Sequence, residues 1–530
     1  MADQQQFSSL HQRTGPGTAW TTVNAAENIP GVMTPLGATF WLEVVELGMR
    51  GAFATLGVLS PDQVHIGNGP DDRFSAVFFG RCAVNVDTFR RVLERTPGAS
   101  PSAFEEQMLG MVREHVEGGR PAPHRYPVVA AKAGYTAVTL PRRVAARTAE
   151  VRAWWRRATG TSAAQRPAAE RLRAAYPRAA AAVRTQMVAT SFAQALFDRL
   201  GTLAAEAGHP DEHLNLMIGY GDTEEAEMIA ALYAVARGEA SMEHFLDRFG
   251  ARCPGENELS ARSWREDPTP VQRLMTKYAR SARPDPGERQ RLLAHQRRAS
   301  EHCVLAGLGR RRRLAARLVF RLARRYIPLR EEGKATLAMA MDAARAAARA
   351  RGVELVGTGA IDTADDVFYL TWPEVLGRTP EDCRSLISER RAERAGYQCL
   401  ELPQSWIGQP EPLVPAVEPA APVRQLVGVP GASGVVEGRA RVVANPAGID
   451  EVEPDEILVC RTTDPSWGAA FYLVSAVVID IGGAGSHGAI VAREMGLPCV
   501  INTLVGTRVL RTGDLLRVDG TSGTVTVLAT

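Results

Sequence analysis

The sequence predicts a multidomain α+β protein, a long and mainly α-helical region followed by a compact strand-rich module. Three observations carry that prediction. Residues 19–405 are rich in Ala, Arg, Leu and Glu at helical spacing. Prolines then recur at 410, 412, 415, 419 and 422. From residue 428 onward, short β-branched runs alternate with Gly, Asp and Pro.

Length and composition bound the class. At roughly 100–200 residues per domain, 530 residues make two to four domains. With 45% hydrophobic and 23% charged residues, the chain is neither disordered, collagen-like nor membrane-embedded. Sixty-two Lys+Arg against 59 Asp+Glu leave a net charge of +3, too balanced to make nucleic acid a default partner. Seven cysteines with no C-x-x-C pair are no disulfide framework and fit a reducing cytoplasm. Residues 1–17 contain no apolar h-region. The strongest apolar run, 471–481, is too short to span a membrane and reads as a buried strand. The expectation is a cytoplasmic protein with no membrane or nucleic-acid partner.

Along the chain, residues 1–18 read as a flexible tail. Helical periodicity marks 39–58, 141–158, 163–206, 225–249, 284–326 and 331–351 within the domain 19–405. Extended pieces are expected at 76–86 and 366–370. Residues 406–427 read as a Pro-rich linker, stiffened toward polyproline II at about 3.1 Å per residue, either a plain connector or a swinging arm. In the module 428–530, strands are expected at 434–443, 456–461, 476–481 and 515–518, with a helix near 487–496.

Chemistry concentrates in Ile481–Asn502, IGGAGSHGAIVAREMGLPCVIN. The order is strand, glycine turn, helix, strand. Gly482, Gly483 and Gly485 permit a tight turn and close backbone approach. His487 falls where the helix begins, beside unpaired N–H groups and the positive end of the helix dipole, a position that suits a phosphate. Ser486 is placed to cap the helix or to bond that phosphate. Arg493 pairs with a phosphate or anchors the helix. Arg330 and Lys334, one helical turn apart, are two cations suited to phosphoryl transfer, or a solvated helix start paired with Glu331 and Glu332.

Two other features carry less chemistry. Arg310–Arg313, Arg317, Arg321, Arg324 and Arg325 form a basic helix in which Leu314, Leu318 and Leu322 make an apolar stripe, and its arginine face reads as solvated or subunit-facing. His209 and His213 are separated by Pro210, which disfavours a zinc-binding helix, and no metal is assigned.

The string Gly-Gly-x-x-Ser-His-x-Ala-Ile-x-Ala-Arg-Glu-x-Gly-x-Pro-x-Val resembles the phosphohistidine signature of the phosphoenolpyruvate-utilising enzymes. The resemblance extends to Gly431–Gly434, Gly438–Ala440, Thr463–Trp467, Gly513-Asp514 and Val518–Gly520. Upstream, residues 24–35, 79–81, 97–100, 264–268, 330–334 and 365–370 resemble the rifampin phosphotransferase branch. The resemblance implies that 428–530 is a swivelling β/β/α phosphohistidine domain in which His487 is phosphorylated. Ser486, Gly483, Arg493 and Thr463 would bind the phosphate, and Arg330 and Lys334 would act in transfer. The helical region would be the substrate domain, with Glu256, Arg252 and Trp264 at the substrate.

Two departures qualify that implication. Multidomain relatives carry an ATP-grasp domain before the segment that begins here at Trp20, and no substitute nucleotide loop stands in these residues. ATP and Mg²⁺ are therefore expected to act through a separate ATP-grasp protein. Ala251 also stands where related substrate domains have a histidine, leaving Glu256 and Glu258, the next carboxylates downstream, to serve as base. The expected function is transfer of phosphate from His487 to a hydroxyl of a small organic substrate, with elimination of the phosphate as a variant. The alternatives are a ligand-binding or regulatory relic and a phosphocarrier to another protein.

Overall fold

A computed structural model describes residues 8–23, 25–109, 111–113, 123–221, 223–377, 379–413, 423–444, 446–483 and 486–529. Helices and two sheets make up an α+β chain of more than one compact unit. One unit comprises Met1–Val188, Glu256–Ala261 and Gly333–Ala416, and the other Ala189–Gly255, Arg262–Glu332 and Val417–Thr530. No helix among the described residues is long and apolar enough to cross a membrane.

The first unit holds a four-stranded antiparallel sheet in the order Ser75–Phe78, Arg81–Asn85, Ala19–Thr21, Ser405–Ile407. The expected extended piece at 76–86 is its hairpin, closed by Phe79 and Gly80, both at positive φ as a two-residue turn requires. A Cβ on Gly80 would stand 2.3 Å from Val32 Cγ1, so only glycine fits. Long helices Pro35–Thr55 and Tyr126–Thr159 pack in this unit. Trp155 Nε1 donates to Asp342 Oδ2 at 2.7 Å, and the Thr148 and Thr336 hydroxyls meet at 2.9 Å. These bonds fix Tyr126–Thr159 against the helix Pro328–Gly357.

The described part of the expected tail is packed, not frayed. Gly80 donates to Leu10 O and Gln12 to Val77 O, while Leu10 and His11 are buried. Backbone pairing to the hairpin outweighs the polar composition of that stretch. Residues 366–370 are also not extended. Ala364–Tyr369 is a 3₁₀ helix, because the Asp366 carboxylate accepts from the N–H groups of Asp362 and Thr363 and closes the turn.

The second unit is built on a mixed eight-stranded sheet. Its order is Gln425–Val427, Thr524–Ala529, Leu515–Asp519, Val435–Val443, Ile457–Cys460, Ala476–Ile479, Cys499–Ile501, Val429–Ala432. Val435–Val443 through Cys499–Ile501 run parallel. The expected strands of the module are all present, and the apolar run 471–481 divides between the short helix Gly468–Phe471 and the strand Ala476–Ile479.

The compact units do not follow the compositional boundary at 405/428. Helices Glu224–Ala236, Met242–Phe249 and Thr269–Arg280 share a hydrophobic core with the module. Tyr278 stacks on Tyr472 at 4.6 Å and donates to Ala469 O at 2.6 Å, and Lys277 Nζ donates to the carbonyls of Asp450 and Val452. Composition reports secondary-structure type, whereas packing decides the unit. The ends of the expected linker 406–427 likewise belong to sheets, Ser405–Ile407 in one unit and Gln425–Val427 in the other. Its residues 414–422 lie outside the described residues.

The helical spans 225–249 and 284–326 each resolve into two helices, the latter into Pro286–Gly307 and Arg310–Tyr326. In Arg310–Tyr326 the expected apolar stripe is inverted. Ala316, Phe320, Ala323 and Tyr326 are buried, while Leu314 and Leu318 are 64% and 53% exposed. Ala316, Phe320 and Ala323 face inward because they pack into a core with Leu200, Leu203 and Val304.

Candidate functional site

The loops that carry the expected chemistry leave the carboxyl ends of three parallel strands, where open α/β sheets hold their ligands. Asp480 ties them together. Its N–H donates to Cys460 O, and its carboxylate accepts from Thr503 Oγ1 at 2.7 Å and from the N–H groups of Gly506 and Thr507 at 2.5 and 2.9 Å. Sequence reading passed over Asp480. A lone acidic residue ending the apolar run AVVI was the signal.

His487 is the first residue of the helix His487–Glu494, and it is buried. Ser486 is the N-cap: its Oγ accepts from Ala489 N at 3.4 Å, and its own N–H donates to Gly483 O at 2.9 Å. Ala484 and Gly485 lie outside the described residues. Thr463 packs against the same helix start. A Cβ built on Gly488 would meet Thr463 Cγ2 at 2.6 Å and Thr463 Oγ1 at 2.8 Å. Among the described residues, the buried Thr463 hydroxyl has no hydrogen-bond partner. A buried hydroxyl without a partner costs free energy unless a ligand supplies one.

Beside Thr463, Asp464 joins this edge to Gly255, two residues past the Phe249–Cys253 stretch. Its Oδ2 accepts from Gly255 N at 2.7 Å, and its Oδ1 accepts from Ser466 N and Oγ at 2.9 and 2.7 Å. Burial raises the Asp464 carboxyl above the usual carboxylate range, opposed by those hydrogen bonds and by the charge of Arg252. Arg252 is itself buried, with Glu225 at 3.7 Å, and its carbonyl accepts from Trp264 N at 2.9 Å. Trp264 stacks on Phe245 in the core and is a packing residue in this arrangement.

Glu256 and Glu258 belong to the first unit. Glu256 is buried, not a surface carboxylate, and its carbonyl accepts from Arg345. The Glu258 carboxylate is committed locally to Thr34 N and Oγ1 and to Ser260 N and Oγ.

Of the expected cations, Arg493 is buried and its Nε donates to Gly431 O at 2.6 Å, which makes it an anchor between the helix and the strand Val429–Ala432. Burial depresses its basicity, opposed by Cys499 and reinforced by nearby Arg330. Arg330 lies 3.4 Å from Glu331 Oε1, but Glu331 is buried and little of the Arg330 side chain is exposed, so the pair is not the solvated helix start of the alternative reading. Lys334 is buried one turn along the same helix Pro328–Gly357, in the first unit, while Arg330 falls in the second.

Comparison with known proteins matches two stretches. Residues 452–523 match the PEP-utilising enzyme mobile domain, and residues 198–331 match the rifampicin phosphotransferase fourth domain. A rifampicin phosphotransferase of Streptomyces sviceus is 31% identical over 330 residues, 61% of this chain and 38% of the relative. An uncharacterised protein of Mycobacterium tuberculosis is 34% identical over 283 residues, 53% of this chain and 31% of the relative. The rifampicin phosphotransferase of Bacillus subtilis is 28% identical, over 53% of this chain and 34% of its own length. The aligned stretch thus spans about a third of each of these relatives. A solution structure of Enzyme I aligns at 13% identity with a TM-score of 0.17 and covers 63% of this chain and 80% of that one, a likeness too slight to carry an argument.

Proposed function

We propose that this chain, a relative of the phosphoenolpyruvate-utilising enzymes through residues 198–331 and 452–523, carries a phosphoryl group on His487 and delivers it to a hydroxyl of a small organic molecule. The observation that carries the reading is the buried Thr463 hydroxyl, without a partner among the described residues, beside the helix that begins at His487. A phosphoryl oxygen is the acceptor that this hydroxyl and the first N–H groups of the helix would satisfy.

In the first half reaction a neutral imidazole nitrogen of His487 attacks phosphorus, the N–P bond forming as the donor P–O bond breaks. Uptake therefore fails as the imidazole protonates. In the second half reaction the acceptor oxygen attacks, the N–P bond breaks, and the hydroxyl proton leaves to a base. Arg330 and Lys334 are proposed to steady the charge on the moving phosphoryl group. The donor is proposed to be a separate ATP-grasp protein that holds ATP and Mg²⁺. Among the described residues no group of three or more His, Cys, Asp or Glu converges to hold a metal. Because helices Glu224–Ala236, Met242–Phe249 and Thr269–Arg280 share a core with the module 428–530, the body proposed to swivel between donor and acceptor is the module together with those helices.

The test is a chase. The chain is labelled from ATP and Mg²⁺ in an extract of its source cell, freed of nucleotide, and given candidate hydroxyl compounds. Label leaving His487 for an organic phosphate ester is the expected result, and an alkene with labelled inorganic phosphate identifies the elimination variant. Label that stays on the chain with every compound, or moves only to another protein, contradicts small-molecule transfer.

A further inference from the structure

A cavity of about 410 Å³ in the first unit is lined by Arg143, Arg147 and Arg184 with a single carboxylate, Glu150. Arg147 bonds Glu150 at 2.6 Å, which leaves two guanidiniums in excess. Arg143 lies over the Tyr135 ring at 5.2 Å, and Arg184 makes no ion pair among the described residues. The Arg184 stem crosses the helix Pro35–Thr55 at Gly51, where a Cβ would stand 2.9 Å from Arg184 Cδ. Burial, then the like charges of Arg147 and Arg143, lower its basicity. Leu140 and Val188 supply an apolar wall.

Three like charges around one concavity repel one another and focus a positive potential into it. An oxyanion there relieves the repulsion, and guanidinium forks suit its geometry. The volume lies within the range of small-molecule sites, roughly 300–1,000 Å³. We infer that this cavity binds a small organic oxyanion, a phosphate, sulfate or carboxylate attached to an apolar body, with Arg143, Arg147 and Arg184 around the anionic group and Leu140 and Val188 against the body. The further identification of this ligand as the hydroxyl-bearing acceptor rests on the phosphotransferase reading. Binding itself does not.

The experiment is calorimetric titration of the full chain at neutral pH with phenyl phosphate and, separately, with neutral phenol. Saturable binding of the phosphate ester is expected, with the phenol weaker by about tenfold or more, as loss of a charge-assisted contact implies. Arg184→Gln and Arg143→Gln should each weaken the ester by about tenfold. His487→Ala should bind it as the parent does, so that failure of phosphoryl transfer is read separately. No saturable binding at millimolar ester, equal affinity for the phenol, or full affinity in the Arg143→Gln/Arg184→Gln double variant overturns the inference. Melting curves of the variants confirm that they are folded when titrated.

Discussion

Gly488 and Thr463 touch so closely that a methyl group on the glycine would stand 2.6 Å from Thr463 Cγ2 and 2.8 Å from its hydroxyl. Two opposing effects meet in Gly488→Ala. Helix propensity favours alanine by about 1 kcal/mol, whereas overpacking a fixed core costs about 1–3 kcal/mol. Ile479 Cδ1, also at 2.6 Å, closes another side, so overpacking should win. Gly488→Ala should lower the melting temperature and impair phosphoryl uptake, and Thr463→Ala in the same chain should recover part of the stability.

Thr463→Val separates function from packing. The hydroxyl is buried without a partner among the described residues, so an isosteric apolar side chain should be neutral or slightly stabilising. Thermal melts should show no loss, while phosphohistidine formation falls. A large loss of stability would show that the hydroxyl has a structural partner.

Arg493 is expected to act by position. Its Nε bond to Gly431 O joins the phosphohistidine-candidate helix to the strand Val429–Ala432. Arg493→Met should cost about 1.5–3 kcal/mol, the range for a hydrogen bond to a charged group, read by denaturant unfolding. Arg493→Lys restores charge without the planar fork and should recover little of that loss.

A pH-dependent contribution is expected at Glu374. Burial pushes its carboxyl upward, but bonds from the two terminal guanidinium nitrogens of Arg390, Nη1 and Nη2, at 2.6 and 3.0 Å, and from Thr371 N outweigh it. The folded carboxyl is therefore held below its ordinary 4.5. A depressed carboxyl stabilises the fold fully above its unfolded value and loses that contribution as pH falls through the folded value. The melting-temperature gap between the parent and Glu374→Gln should be constant at neutral pH and shrink below the ordinary carboxylate value.

The phosphohistidine-like segment was legible because glycine, N-cap and histidine fall in consecutive positions, a local pattern that needs no knowledge of packing. Ser486 and the helix at His487 follow from that pattern alone. Asp480 and Asp464 were not visible, since their partners lie 23–27 and 209 residues away for the bonds to Thr503, Gly506, Thr507 and Gly255. The stripe on Arg310–Tyr326 was misassigned because leucine spacing at 314, 318 and 322 resembles a buried face as closely as 316, 320 and 323 do. Only the neighbours decide between them. The compact units were hidden for a similar reason: Tyr278 and Tyr472 meet across nearly two hundred residues of differing composition.

The central claim, that His487 carries phosphate, is tested most directly by intact-mass analysis. The protein is taken from its native cell under alkaline conditions that preserve phosphohistidine, beside the His487→Ala variant. The account predicts one phosphate adduct that is absent from the variant. No adduct in the parent, even after ATP, Mg²⁺ and native extract are supplied, or an adduct that persists in His487→Ala, would contradict it.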